Sequence, residues 1–210
     1  MRTNIGSRIS SNAGMLTLMD TGFTSQSLIS TCVFDTLDSP LTDTVWMNPY
    51  FKYAQSFTTG SSSCTLESVT LGMMGGVAKN GGGFFISIYD ATGLDGGPGN
   101  HLSSQFTGPD DPAFGSNEYF GELELNANMT YWVVARVAHG GGTYGWNTTD
   151  EVSVSSDNGF SESFALKPEW STPDRDSRLH MKVNVIQCVR VQTPDPIPEL
   201  GMQMLMVGMM

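Results

Sequence analysis

From Phe84 to Val185 long stretches of this 210-residue chain alternate in side-chain character from one residue to the next. That alternation constrains the fold more than any other feature. A backbone whose successive side chains point to opposite faces is a strand, and an apolar face on a sheet needs a second layer to cover it. Phe84, Ile86 and Ile88 fall on one face, with Phe85, Ser87 and Tyr89 on the other. Tyr131, Val133, Ala135 and Val137 stand against Trp132, Val134 and Arg136. Leu179, Met181, Val183 and Val185 oppose His180, Lys182, Asn184 and Ile186. Glu122 to Leu125 alternates strictly, whereas from Cys64 to Leu71 the period breaks near Glu67, as a β-bulge would break it.

Between these segments lie turn-rich connections: Lys79 to Gly83, Asp95 to Asn100, Gly108 to Pro112 and Gly140 to Gly142. Asn-Gly and Asp-Gly supply the positive φ values that tight turns demand. No helical pattern of crossover length intervenes, so the strands pair antiparallel. The expected fold is all-β, an antiparallel β-sandwich of jelly-roll-like type. Its boundaries are read as a leader or disordered arm over 1–31, the sandwich over 32–190, and a Pro-rich linker with a truncated apolar tail over 191–210. Cys32 to Asp35 reads as the first strand and Asp38 to Tyr53 as a loop rich in aromatic residues.

Charge narrows the partners. The formal net charge is −11 with 15% of residues charged. Such a surface repels phosphate backbones, so no nucleic-acid partner is expected. Three cysteines, Cys32, Cys64 and Cys188, show no CxxC spacing and exclude a standard zinc motif. A disulfide between two of them and buried free thiols both remain open readings. No run reaches the length of a transmembrane helix, and any membrane contact falls to the apolar tail Gly201 to Met210.

Residues suited to chemistry are sparse. The histidines are His101, His139 and His180, and no HExxH, GxSxG or P-loop pattern occurs. Carboxylates are paired at Asp110 with Asp111 and at Glu122 with Glu124; the second pair shares one strand face, which alternation explains as the solvated side. No catalytic residue is assigned. A hydrolase, such as a glycoside hydrolase, is the weakest of the readings kept. Asp90, Asp95 and Asn100 share one Gly-rich loop whose oxygens could wrap calcium; the same residue types also favour turns for local reasons. Tyr144 and Trp146 project to one side beside a Gly triplet, with Asn147 next to them, as rings that stack on a sugar would. The alternative is core packing. Trp132 and Trp170 are further candidates for exposed rings.

Three strings in order, AQSFTTGSSSCTLESVTLGM (54–73), FFISIYDATGLDGGPGNHLSS (84–104) and LNANMTYWVVARVAHGGGTYGWNTT (125–149), resemble the bacterial choice-of-anchor R domain. The likeness extends over most of residues 33–186. It implies an exported protein ending in an interchangeable sorting signal, often of Pro-Glu-Pro type. Residues 193–200, TPDPIPEL, followed by an apolar run, are similar to that layout. They depart from it in that Leu200 stands where the second proline would be, the apolar run is short and no basic cluster follows. The function expected is therefore a secreted or cell-surface structural or binding module of the envelope or extracellular matrix, non-catalytic. Its partner would be an extracellular polysaccharide or an envelope component. The alternative is a carbohydrate-binding module using exposed aromatic residues.

Overall fold

The computed structural model describes residues 26–78, 83–103, 105–150, 159–164, 169–174 and 176–190, without the side chains of 26–30, 32, 164 and 187–190. Among the described residues twelve strands follow one another: β1 (Gln26–Asp35), β2 (Asp43–Met47), β3 (Phe51–Thr58), β4 (Cys64–Ala78), β5 (Phe84–Asp90), β6 (His101–Ser103), β7 (Phe114–Leu125), β8 (Thr130–Val137), β9 (Gly142–Thr149), β10 (Phe160–Phe164), β11 (Arg178–Leu179) and β12 (Met181–Arg190). The expected boundaries shift in two places. β1 begins at Gln26, inside the segment read as an arm, and the segment read as a loop contains β2 and the start of β3. The tail over 191–210 lies outside the described residues.

The strands form a seven-stranded and a five-stranded sheet, packed face to face. Within the first, β2, β9, β4 and β7 are neighbours in that order; within the second, β3, β8, β5 and β6 are. Two four-stranded sheets filled in this order, with the chain crossing between them at most connections, are a jelly roll. β1, β11 and β12 extend the first sheet, and β10 extends the second.

Alternation explains the core. Ile86 and Ile88, Val133 and Ala135, Leu179, Met181, Val183 and Val185 are all buried between the sheets, on the parity the sequence assigns them. The break near Glu67 is a real irregularity. Leu66 faces Leu123 but Ser68 faces Phe120, and on the other edge Val185 and Asn184 face Leu66 and Ser68. The bulge resets the parity, so that Leu66 and then Val69, Leu71 and Met73 all point inward. A smaller second core lies on the outer face of the five-stranded sheet, where Ala54, Trp132 and Val134 are covered by Tyr89, Ala91 and Trp170.

The β4–β5, β6–β7 and β8–β9 connections meet at one end of the sandwich, where hydrogen bonds tie them. Gly83 N–H and Phe84 N–H donate to Asp110 O at 3.1 and 3.2 Å, and Ala138 N–H donates to Gly83 O at 2.7 Å. The rim built by these connections and by the β2–β3 turn is where the site lies.

Candidate functional site at the sandwich rim

The β2–β3 turn is Asn48, Pro49 and Tyr50. Proline fixes φ for a tight corner, and the Asn48 carboxamide accepts from Tyr50 N–H at 2.8 Å, closing an Asx turn. Strand pairing closes it further, with Phe51 N–H donating to Asn48 O at 3.1 Å. The Tyr50 side chain is thereby pushed outward, 52% exposed. On one side of the turn a hollow of about 320 Å³ is lined by His139, Gly140, Gly142 and Thr143 besides the turn itself. On the other side, a hollow of about 240 Å³ is lined by Phe51, Lys52, Arg136 and Val137 besides the same turn. The turn is thus a ridge between two open hollows.

Next to it, on the outer face of the seven-stranded sheet, runs an apolar band. Val45 and Met47 of β2 point inward while Trp46 points out, 51% exposed. Gly145 of β9 pairs with Trp46, and the side chains of Thr44, Met74 and Trp46 close over it. A Cβ at Gly145 would come within 2.7 Å of Thr44 Cγ2, 3.0 Å of Met74 Cβ and 3.3 Å of Trp46 Cζ3. Met74 in turn faces Phe114, which is 74% exposed. Trp46, Met74 and Phe114 therefore continue one another across the sheet. None of these three was singled out by sequence. The signal was there in the alternation from Asp43 to Met47, hidden by the turn residues on both sides.

The rings that were singled out lie elsewhere. Tyr144 and Trp146 do share one side, but that side is the interior, where both are 0% exposed. β9 lies between β2 and β4, so its inner face meets the middle of the opposite sheet. The Trp146 indole N–H donates to His180 O at 2.7 Å, and the Tyr144 ring meets Phe84 edge-on at 5.6 Å between centroids. The Tyr144 hydroxyl meets the Asp111 carboxylate, and burial with that contact pushes its pKa up to about 12. Asn147 is buried too, its carboxamide oxygen accepting from Thr44 Oγ1 at 3.2 Å. Trp132 lies on the outer face as expected, yet it is covered: its indole N–H donates to Gly96 O at 3.0 Å. Of the two readings for Tyr144 and Trp146, core packing holds and the open sugar platform with Asn147 is corrected, as is the exposed ring expected at Trp132. Trp170 is half-buried over this second core.

Asp90 and Asn100 are brought together, but as acceptor and donor. The Asp90 carboxylate accepts from Asn100 N–H at 2.7 Å, Asn100 Nδ2 at 3.0 Å, Thr92 Oγ1 at 2.6 Å and Thr92 N–H at 3.1 Å. Partial burial alone would raise its pKa; these hydrogen bonds outweigh it and hold the carboxyl below the usual value. A carboxylate that accepts from these N–H and O–H donors staples the two ends of the loop together. Asp95 adopts φ 53°, the left-handed turn conformation, in the Leu94–Gly96 turn beside it. Among the described residues no group of three or more His, Cys, Asp or Glu side chains is placed to hold a metal. The hydrogen bonds that Asp90 accepts across this loop are those of a turn.

The remaining candidates are dispersed. His101 stacks edge-on against Tyr89 at 5.1 Å, His139 is exposed at the rim, and His180 is buried against Gly72. Glu122 and Glu124 are exposed on β7, and Glu124 accepts from Thr65 Oγ1 at 2.6 Å. The Cys64 thiol is free and buried, its pKa raised by burial and then by Glu124. The side chains of Cys32 and Cys188 lie outside the described residues. Compared with known proteins, the chain matches no family model and no curated protein.

Proposed function

We propose that this chain is a non-catalytic module, secreted or displayed at the cell surface, that binds an extracellular polysaccharide or envelope component at its rim. The observation that carries the reading is the Asn48–Tyr50 ridge. A half-exposed tyrosine ring stands there between two open hollows, beside a turn locked by its own hydrogen bonds. Rigid aromatic rings with amide and hydroxyl neighbours suit sugars, because a pyranose offers an apolar face and a polar edge at once. Trp46 and Phe114 offer more ring surface on the neighbouring face. Export and display rest on the resemblance to choice-of-anchor R domains described above. The polar side chains buried within the sandwich do structural work, which supports a binding role over a catalytic one. Gln55 Oε1 accepts from Leu179 N–H at 2.8 Å, and Thr36 Oγ1 accepts from Met181 N–H at 2.9 Å.

The test is a glycan array read with the wild type, Tyr50→Ala, Trp46→Ala and Trp146→Ala, each with its melting temperature. The expected result is glycan binding lost in Tyr50→Ala with little change in melting, while Trp146→Ala loses stability. Silence of the folded wild type across neutral and charged glycans alike would overturn the reading.

A further inference from the structure

Lys52 and Arg136 break the charge pattern of the chain. With 10 Lys and Arg against 21 Asp and Glu, a surface cation should meet a carboxylate by default. Lys182 does so, 3.1 Å from Asp35. Lys52 and Arg136 instead stand on the adjacent strands β3 and β8, opposite one another and next to the Tyr53–Ala135 pair. Among the described residues neither has a carboxylate partner. Each is held by a ring. The Lys52 ammonium lies 4.5 Å from the centroid of the Trp170 ring, and the Arg136 guanidinium 4.7 Å from that of Phe85. A cation over a ring is oriented without being neutralised. Both line the hollow of about 240 Å³ beside Tyr50, and none of its lining residues is acidic. Burial, and then the Arg136 charge, lower the Lys52 pKa, so the pair costs stability that a bound anion would return.

We propose that this hollow is an anion subsite that takes the carboxylate or sulfate of an acidic polysaccharide. Arg136 would grip two oxygens of the group through its planar fork, and Lys52 would supply a second, compact charge. The inference rests on the proposed rim function and deepens it, since Tyr50 borders both hollows.

Calorimetric titration of the full chain at low salt tests it, with a short oligogalacturonate, the same oligomer methyl-esterified, and dextran sulfate against dextran. Charged ligands should bind and their uncharged counterparts should bind at least about tenfold more weakly. Preference for oligogalacturonate or for dextran sulfate identifies the carboxylate or the sulfate as the natural group. Arg136→Gln and Lys52→Gln should each abolish the preference, and Arg136→Lys should weaken it, because charge survives but the fork does not. Lys182→Gln, which changes net charge equally on the other sheet, should leave it intact. Melting curves of each variant separate lost binding from lost fold. Equal binding of the charged and esterified oligomers would overturn the subsite while leaving the rim function standing. Equal loss in Lys182→Gln would overturn it as diffuse charge attraction, and so would silence towards every anionic ligand.

Discussion

Trp146 and His180 meet where three strands of the larger sheet converge. The His180 carbonyl accepts from the Trp146 indole at 2.7 Å and from Gly72 N–H at 2.9 Å, while its own N–H donates to Asn147 O at 2.8 Å. Trp146→Ala removes a fully buried ring together with one of those bonds. It should cost about 3–5 kcal/mol of unfolding free energy, read by denaturant titration. The His180 side chain is buried beside Gly72, and its Nε2 has no partner among the described residues. Burial lowers its pKa from 6.5, opposed by the Pro40 carbonyl beside it. The sign follows. Above pH 6.5 folded and unfolded chains are both neutral at this position, and its contribution to stability is fully present. Below 6.5 the unfolded chain takes up a proton that the folded chain resists, so stability falls until the folded value is passed. His180→Gln should flatten the unfolding free energy across that window while leaving the steeper carboxylate losses at lower pH unchanged. A profile identical to wild type would show that the imidazole is not desolvated in solution.

Among the elements, most strands were legible because their parity is clean. Ile86, Val133 and Val183 each point where alternation sends them. What alternation cannot tell is whether an outer face stays open. Trp132 is on the outer side by parity, yet the Leu94–Gly96 turn and Trp170 fold over it, a contact between residues far apart in the chain. Tyr144 and Trp146 left the converse choice open, between core and open face. Their shared parity was readable, but the side it faced depended on β9 lying between two partners. Trp46 was missed because a five-residue strand between turns offers too few periods to stand out. Glycines show where elements approach closely. A Cβ at Gly76 would lie 2.2 Å from Thr143 O, a backbone atom of the adjacent strand β9, whereas a Cβ at Gly115 would meet nothing within 4 Å. Gly115 keeps only the cost of its φ of 101°. Gly76→Ala should therefore cost on the order of 1–3 kcal/mol by forcing β4 from β9. Gly115→Ala should cost on the order of 1 kcal/mol from backbone strain alone. Parallel chemical denaturation of the two variants checks the order.

For the whole molecule, charge acts on stability and on recognition with opposite signs. A net charge of −11 repels itself most in the compact state, so added salt should relieve the repulsion and raise the melting temperature. At the rim the same salt should screen Lys52 and Arg136 from an anionic ligand. Screening lengths shrink from about 30 Å at 0.01 M to about 10 Å at 0.1 M ionic strength, which is enough to alter both effects. Across that range the free protein should melt higher while the affinity for oligogalacturonate falls. In Arg136→Gln the first trend should persist, slightly steeper because the net charge is then more negative, and the second should vanish with the binding. If melting temperature and affinity instead rise together with salt, apolar contact along Trp46, Met74 and Phe114 governs recognition, and the cations at the rim do not.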